Sequence, residues 1–253
     1  MKLKLVTLNL WFGGTMFDEI VAFLKVQDAD VVVLQEAYNG EDVSLKPQYR
    51  SMQELRKRLG YPYDNFVADY LDFDDAEGKA QRGNAILSKF PITASDAVFF
   101  VGEYTEEYRN VDGKYDTCPR DLQHVALQTP AGEVNVFNIQ GVWDLNGENY
   151  SPQRKHMAEV VIKAIEGKPN VIVAGDTNAK QVNQSIKDIE EHLQSVFGEE
   201  LTSTFNMRHK DNPGYATAAV DAIFISPNIK VLEKSQPDVD LSDHLPLTAT
   251  LEI

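Results

Sequence analysis

Two apolar runs, Val31-Val-Val-Leu34 and Val171-Ile-Val-Ala174, stop abruptly at polar residues. Gln35-Glu36 follows the first, and Gly175-Asp176-Thr-Asn178 follows the second. Unbroken branched apolar runs of this length read as buried strands, so the chain has to fold around sheets whose ends carry acids and amides. The neighbouring pattern agrees. Val6, Leu8 and Leu10 alternate with Thr7 and Asn9, a first strand with Asn9 near its carboxyl end. Phe17, Ile20, Val21 and Leu24 fall at helical spacing, in a helix that ends near Gln27. The chain therefore opens strand, helix, strand.

The same reading extends along the chain. Gln53 to Leu59 is a helix stopped by Gly60, and Asn84 to Ser88 and Ala97 to Val101 are strands. Gly102 to Arg120 is a long polar loop. Gln123 to Gln128 and Glu133 to Asn138 form a hairpin about the Pro130-Ala-Gly132 turn. Ser151-Pro152 opens a helix that runs to Gly167, with an apolar stripe at Met157, Val160, Val161 and Ala164. A helix over about Gln184 to Leu193 precedes a strand from Ala219 to Ile225 with Asp221 in its middle. Ile229 to Leu232 and Leu247 to Ile253 are the last strands. Hairpins and strand–helix–strand units are mixed throughout, with no repeat, low-complexity segment or linker. The expectation is one domain, residues 1–253, with more than one sheet. Hydrophobic residues at 43% supply its core.

Charge limits what such a domain can bind. Lys and Arg number 24 against 39 Asp and Glu, a formal net charge of −15. That surface repels polyanions at long range, so no strong duplex-DNA binding is expected, and no polybasic membrane role. Bound divalent cations can invert the sign locally, which leaves phosphate chemistry open. The single cysteine, Cys118, excludes an internal disulfide framework and a Cys-rich zinc site. The five histidines show no HExxH spacing. The amino terminus lacks signal-peptide character, no stretch approaches a membrane span, and no obligate protein partner is evident. A cytoplasmic protein is the expectation.

A small set of polar residues touches core strands: Asn9, Glu36, Gln140, Asp176, Asn178, Asp221, Asp243 and His244. A carboxylate beside Val and Ile is costly to desolvate unless it is paired or binds a cation. Taken one at a time, Asp176-Thr-Asn178 reads as a turn or helix cap and Glu36 as the polar end of a strand. Together they make a hard-cation site. Glu36 is an oxygen ligand, and Asn9 orients it or binds a ligand water, equipment suited to Mg2+ with Mn2+ as a substitute. Asp176 and Asn178 flank one turn; one holds and activates a water and the other bonds the scissile phosphate. Adjacent side chains diverge in extended backbone, so Asp243 and His244 need not be partners. Asp221 is then a candidate to orient His244, leaving Asp243 free for the metal or ligand side. His244 is then a phosphate-binding group or a general base. With no nucleotide-binding glycine loop, hydrolysis is favoured over phosphoryl transfer.

These residues resemble the endonuclease/exonuclease/phosphatase (DNase I-like) superfamily. The resemblance is carried by Thr7-Leu-Asn9, Leu34-Gln-Glu36, Gly83-Asn-Ala-Ile-Leu-Ser88, Gly175-Asp-Thr-Asn178, Val220-Asp221 and Ser242-Asp-His244-Leu-Pro246, six segments in the family's order. It implies a four-layer α/β sandwich, two mixed sheets face to face with helices outside, and a site at one edge. It also implies Glu36 as the principal Mg2+ ligand with Asn9 beside it. Asp176 would act on the attacking water, Asn178 on a phosphate oxygen, and Asp243 on the metal side. His244 would contact the phosphate and be oriented by Asp221. In-line attack on a phosphoester follows.

One position departs from that pattern. Where such proteins carry Asn-x-His, this chain has Asn138-Ile-Gln140, and an amide is no proton donor of comparable acidity, though its NH2 can still bond a phosphoryl oxygen. Arg82 and Arg120 are candidates to compensate, with surface salt bridges as their plainer reading. Trp143, in the segment after Gln140, and Tyr104, Tyr108, Tyr115 and Arg109 of the long loop could wall a base or sugar, or simply pin their loops. His156 is read as the solvated or packed face of its helix. The expected activity is hydrolysis of a small or locally presented phosphoester. The alternatives are an endonuclease or exonuclease acting on DNA or RNA, and a non-catalytic phosphate-binding module.

Overall fold

The structure, a computed structural model, describes residues 1–109, 115–144 and 146–253, with Tyr115 described in its backbone alone. In chain order the elements are β1 (Lys2–Asn9), α1 (Phe17–Gln27), β2 (Val31–Tyr38), α2 (Ser51–Leu59), β3 (Tyr63–Asp72), β4 (Ala80–Ser88), β5 (Ile92–Val101), β6 (Arg120–Thr129), β7 (Gly132–Gln140) and α3 (Pro152–Ile165). They continue as β8 (Val171–Asp176), α4 (Gln184–Glu190), β9 (Gln194–Ser195), β10 (Asp221–Ile225), β11 (Lys230–Ser235) and β12 (Leu247–Glu252). They form two six-stranded mixed sheets, in the orders β11-β12-β1-β2-β4-β3 and β5-β6-β7-β8-β10-β9.

Period-2 alternation explains the layering. Leu3 and Leu5 of β1, Val31 and Val33 of β2, Ile172 and Ala174 of β8, and Ile223 and Ile225 of β10 meet between the sheets. The opposite faces bury the helices. Ile20, Val21 and Leu24 of α1 and Met52 and Leu55 of α2 pack on Val6, Leu8, Val32 and Leu34. Met157, Ala158 and Val161 of α3 and Ile186 and Ile189 of α4 pack on Phe137, Ile139, Val173 and Phe224. This is the DNase I-like four-layer α/β sandwich. α3 starts as its sequence requires: Pro152 occupies the first turn, and Ser151 Oγ accepts from Arg154 N at 3.2 Å.

Followed toward one end, the inter-sheet faces turn polar. Thr7, Asn9, Gln35, Asn84, Gln123, Asn138, Gln140, Asp176 and Asp221 are all buried there. Asn138 stitches the sheets together. Its Nδ2 donates to Leu34 O at 2.8 Å, Ala85 O at 3.2 Å and Gln123 Oε1 at 3.0 Å, while its Oδ1 accepts from Gln35 Nε2 at 2.7 Å. Close backbone approach is needed at Gly83, where a Cβ would sit 1.9 Å from Val67 O, and at Gly175, where φ is +142° and a Cβ would meet Ile139 O at 2.2 Å.

The structure corrects several expectations. β3 has no counterpart in the sequence reading, because it is an edge strand with mostly half-buried residues, and its apolar signal is diluted by Asp64, Asn65 and Asp69. β5 begins at Ile92 rather than Ala97, and α4 ends at Glu190, with Leu193 beyond it. Asp221 is the first residue of β10, not its middle, since Val220 O is already taken by Thr177 N at 2.8 Å. No helix of the described residues is long and apolar enough to cross a membrane.

Replacing Asn138 with Ala leaves Gln35 Nε2 only its 3.4 Å bond to Thr7 Oγ1 and takes a donor from two backbone carbonyls in a layer closed to water. The expected loss is about 3 kcal/mol in urea unfolding, roughly 6–12 °C in Tm for a chain of this size. Unchanged stability would remove Asn138 as the link between the sheets.

Candidate active site

Strand register assembles the site. β7 and β8 run parallel with Gln140 beside Asp176, and β8 and β10 run antiparallel with Asp176 across from Asp221. Gln140, Asp176 and Asp221 thus form one row across three strands. The other sheet delivers Asn9 at the end of β1 and Glu36 near the end of β2. Glu36 lies in the left-handed region at φ +59°, at the register break between Leu34 and Ala37 in the β2–β4 pairing. Asn178, at φ +52°, and Trp11 and Phe12, at +57° and +51°, share that uncommon conformation. Such backbone concentrates where side chains must be aimed against local preference.

A cavity of about 300 Å3 collects these groups, with Asp221 alone standing behind its wall. Asn9 Nδ2 donates to Glu36 Oε1 and to Asp176 Oδ2, both at 3.2 Å, so one amide ties the two sheets' carboxylates together. Glu36 Oε1 also accepts from Gln140 Nε2 at 3.1 Å and pairs with Arg82 Nη2 at 2.8 Å; its Oε2 accepts from Phe12 N at 3.0 Å. Asp176 Oδ1 accepts from Asn178 N at 2.8 Å. His244 Nδ1 meets Asp221 Oδ2 at 2.8 Å, and the His244 ring packs against Phe205 with centroids 4.6 Å apart. Ser242 holds the loop bearing His244 in place: its Oγ donates to Asn9 O at 2.7 Å and accepts from His244 N at 3.2 Å.

The two central carboxylates are pushed in opposite directions. Burial raises Glu36, yet the Arg82 guanidinium, the Phe12 N–H and the more distant Arg120 and His244 prevail and hold it at about 2. Burial also raises Asp176. There the Asp221 carboxylate adds to it against the pull of His244 and the Asn178 N–H, and the result is about 6. Burial lowers His244, but Asp221, Asp243 and Asp176 raise it to about 10. At neutral pH His244 is therefore an imidazolium, a donor to anions rather than a base.

The donor set fits a hard divalent cation. Glu36 and Asp176 offer carboxylate oxygens beside Gln140 Oε1, a buried acceptor that meets no donor among the described residues. One ligand atom each of Asp176, Asp221 and His244 also lies within 4.8 Å of the others. Asp221 already takes His244 Nδ1, so this cluster offers a cation its two carboxylates. Asp243 lines the cavity but is engaged by Lys210 Nζ at 2.5 Å.

Every expected site residue lies at this cavity except Asp221, which stands behind His244 and reaches it through the imidazole. Arg82 and Arg120 are buried in the cavity wall, not in surface salt bridges. Trp143 lines the cavity, as does Tyr108, whose ring lies 4.6 Å from that of Tyr70. Arg109 pins its loop over the Phe73 ring at 4.0 Å, and Tyr150 Oη bonds Asp188 at 2.8 Å. Tyr115's side chain lies outside the described residues, and His156 is exposed on α3. Sequence reasoning missed Lys210, held over the Phe205 and Tyr215 rings at 5.1 Å each, because its segment has no regular period to read. It also missed Tyr70 of β3, which the register break after Ala68 turns toward the cavity, against the alternation that sends Phe66 to the helix layer.

The profile of the Endonuclease/Exonuclease/phosphatase family matches residues 6–244. Among solved structures, an endonuclease/exonuclease/phosphatase from Beutenbergia cavernae superposes with a TM-score of 0.78 at 19% identity, over 100% of this chain and 72% of that one. A mannosyl-6-phosphatase of Bacteroides thetaiotaomicron gives 0.72 at 17% identity, over 99% of this chain and 100% of the other. D. rerio TDP2 complexed with single strand DNA product gives 0.72 at 18% identity, over 100% and 99%. At these identities the likeness is one of fold. No curated protein matches the sequence.

The raised carboxyl of Asp176 is a stability cost. A carboxyl at 3.8 when unfolded and about 6 when folded binds more protons in the native state, so stability falls as pH rises from 3.8 to 6 and stays reduced above. In EDTA at pH 7.5, Asp176→Asn is expected to stabilise the protein by about 1–2 kcal/mol, less than the full shift because the new NH2 can face Asn9 Nδ2. The gain should vanish below about pH 4. A destabilised variant at pH 7.5 would contradict the electrostatics assigned to this site.

Proposed function

The chain belongs to the endonuclease/exonuclease/phosphatase family, and from that premise we propose that it is a Mg2+-dependent hydrolase of a small or locally presented phosphoester. Membership supports phosphoesterase or nuclease-type activity in general. The finer reading rests chiefly on one observation: Asp176, held near 6 and within reach of Asn9 and Asn178, stands beside an imidazolium at His244.

Glu36 would hold the metal, with Asn9 beside it orienting the carboxylate, Gln140 Oε1 next to it and Asp243 on the same side once released from Lys210, and Mn2+ would substitute. When bound, the ion supplies charge neutralisation for the oxygens that become more negative during in-line displacement. Asp176 accepts the proton of the attacking water; a carboxylate near 6 is ionised at neutral pH yet basic enough to take it. The water oxygen bonds phosphorus, and the ester P–O bond opposite it breaks. His244, kept charged by Asp221, donates to one phosphoryl oxygen, and Asn178 donates to another. Arg82, Arg120 and Trp143 contact the substrate. Gln140 lends an N–H but no proton, so the leaving oxygen departs as an anion and is protonated by solvent. The net charge of −15 supports a compact substrate over a long polyanion.

The expected result is turnover of p-nitrophenyl phosphate or bis-p-nitrophenyl phosphate with Mg2+ or Mn2+, abolished by EDTA. Glu36→Gln and Asp176→Asn should each lower kcat by about 1,000-fold or more at unchanged fold. Retained turnover in both would overturn the assignment. Gln140→His should raise phenyl phosphate turnover more than p-nitrophenyl phosphate turnover, because the poorer leaving group has more use for a proton. Equal effects on the two would remove Gln140 from the leaving-group side.

A further inference from the structure

Arg120 differs from the other cations of the cavity. Arg82 bonds Glu36 and Tyr70, Lys210 bonds Asp243, and His244 bonds Asp221. Arg120 is 7% exposed, and its Nε and Nη1 meet neither solvent nor an acceptor among the described residues. Behind it, Asp69 and Asp121 are fully buried, Asp69 at the register break between Ala68 and Tyr70. No donor of the described residues reaches either oxygen of Asp69. Asp121 Oδ1 accepts from Asn84 Nδ2 at 3.2 Å, and its Oδ2 likewise has no partner among the described residues. Burial raises both groups, Asp69 to about 6 and Asp121 well above the usual carboxylate range. Asp69 and Glu36 lie within electrostatic reach of the Arg120 guanidinium, whose Nε and Nη1 stay unbonded among the described residues.

Unmet buried donors on an ion are costly, and they are relieved when an anion arrives. Arg120 opens onto the same cavity as Asn178 and His244. A phosphodiester has two terminal oxygens, which those residues serve in the reading above. A phosphomonoester has a third. We propose that Arg120, turning its free edge into the cavity, takes that third terminal oxygen and so selects terminal phosphates over diesters. In a diester this position bears an uncharged substituent, which leaves the guanidinium unmet, and a site built to bond an oxygen rejects the ligand that lacks it. Arg82, fixed on Glu36 and Tyr70, adds charge beside it. The inference rests on the reading of the cavity as a phosphoester site and narrows it to phosphomonoesters.

Two measurements separate the selectivity from the activity. With Mg2+, Arg120→Gln should lower the ratio of kcat/KM for p-nitrophenyl phosphate to that for bis-p-nitrophenyl phosphate by about tenfold or more, and Arg120→Lys, which keeps charge but loses the planar fork, should fall between. An unchanged ratio in Arg120→Gln, or wild-type selectivity in Arg120→Lys, would overturn the proposal. In EDTA at pH 8, calorimetric titration with inorganic phosphate should show affinity about tenfold weaker in Arg120→Gln than in wild type, with dimethyl phosphate unaffected. Equal loss for both ligands, or none for phosphate, would also overturn it. This arm needs no turnover. A wild-type protein that hydrolyses neither ester would remove the catalytic reading, and phosphate binding would still decide the role of Arg120.

Discussion

The hydrogen bonds of Asn138 between the two sheets are the constraint from which the site follows. A sandwich of apolar faces tolerates sliding, because dispersion contacts are non-directional. Three directed bonds across the gap, to Leu34, Ala85 and Gln35, with a fourth to Gln123 of its own sheet, do not. They fix β2 and β4 against β6 and β7, and thereby fix the ends of those strands. With that alignment set, Asn9 can touch Glu36 of its own sheet and Asp176 of the other. A shift of one residue along any of these strands would send its site side chain into the helix layer.

The same polar end explains how one cavity gives two carboxylates different characters. Glu36 is half-buried and Asp176 buried, and both touch Asn9. Glu36 faces a guanidinium at 2.8 Å and a backbone N–H, whereas Asp176 faces Asp221 across the β8–β10 ladder. Burial alone would raise both, and the neighbours decide the outcome, about 2 for one and about 6 for the other. A group that stays ionised and a group poised to accept a proton are the pair that the proposed hydrolysis by water would use. Asp221 serves both sides of this arrangement, since its charge raises Asp176 and keeps His244 protonated.

Much of this was legible in the sequence because strand periodicity carries it. Val31-Val-Val-Leu34 before Glu36, and Val171-Ile-Val-Ala174 before Asp176, mark buried strands whose next polar residue falls at the sheet end. Alternation likewise places Asn9 and Gln140 on inward faces. What periodicity could not carry was contact between segments distant in the chain. Nothing local distinguishes Arg120 from a surface arginine; its burial follows from β5 and β7 on either side of β6, with the Asp69–Asp121 pair beneath. Lys210 has no period to follow and becomes visible only when Phe205 and Tyr215 fold around it. β3 lay hidden because an edge strand with one wet face dilutes the apolar signal.

The net charge of −15 acquires a different meaning once the cations are located. Arg82, Arg120, Lys210 and His244 are gathered at one cavity, and the carboxylates closest to them are largely those that fix them in place. A phosphate inside that cavity meets cations across a low dielectric, where each contact is strong. A phosphate outside it meets an acidic surface, screened over roughly 8 Å at physiological ionic strength. Attraction is therefore short-ranged and repulsion extends further. A single phosphate can enter without leaving other charges on the acidic surface, but each further phosphate of a long chain would lie there unpaired. On the proposed phosphoester reading, the acidic exterior would act as a filter on the number of charges a ligand carries, and the buried cations would act on the one that enters.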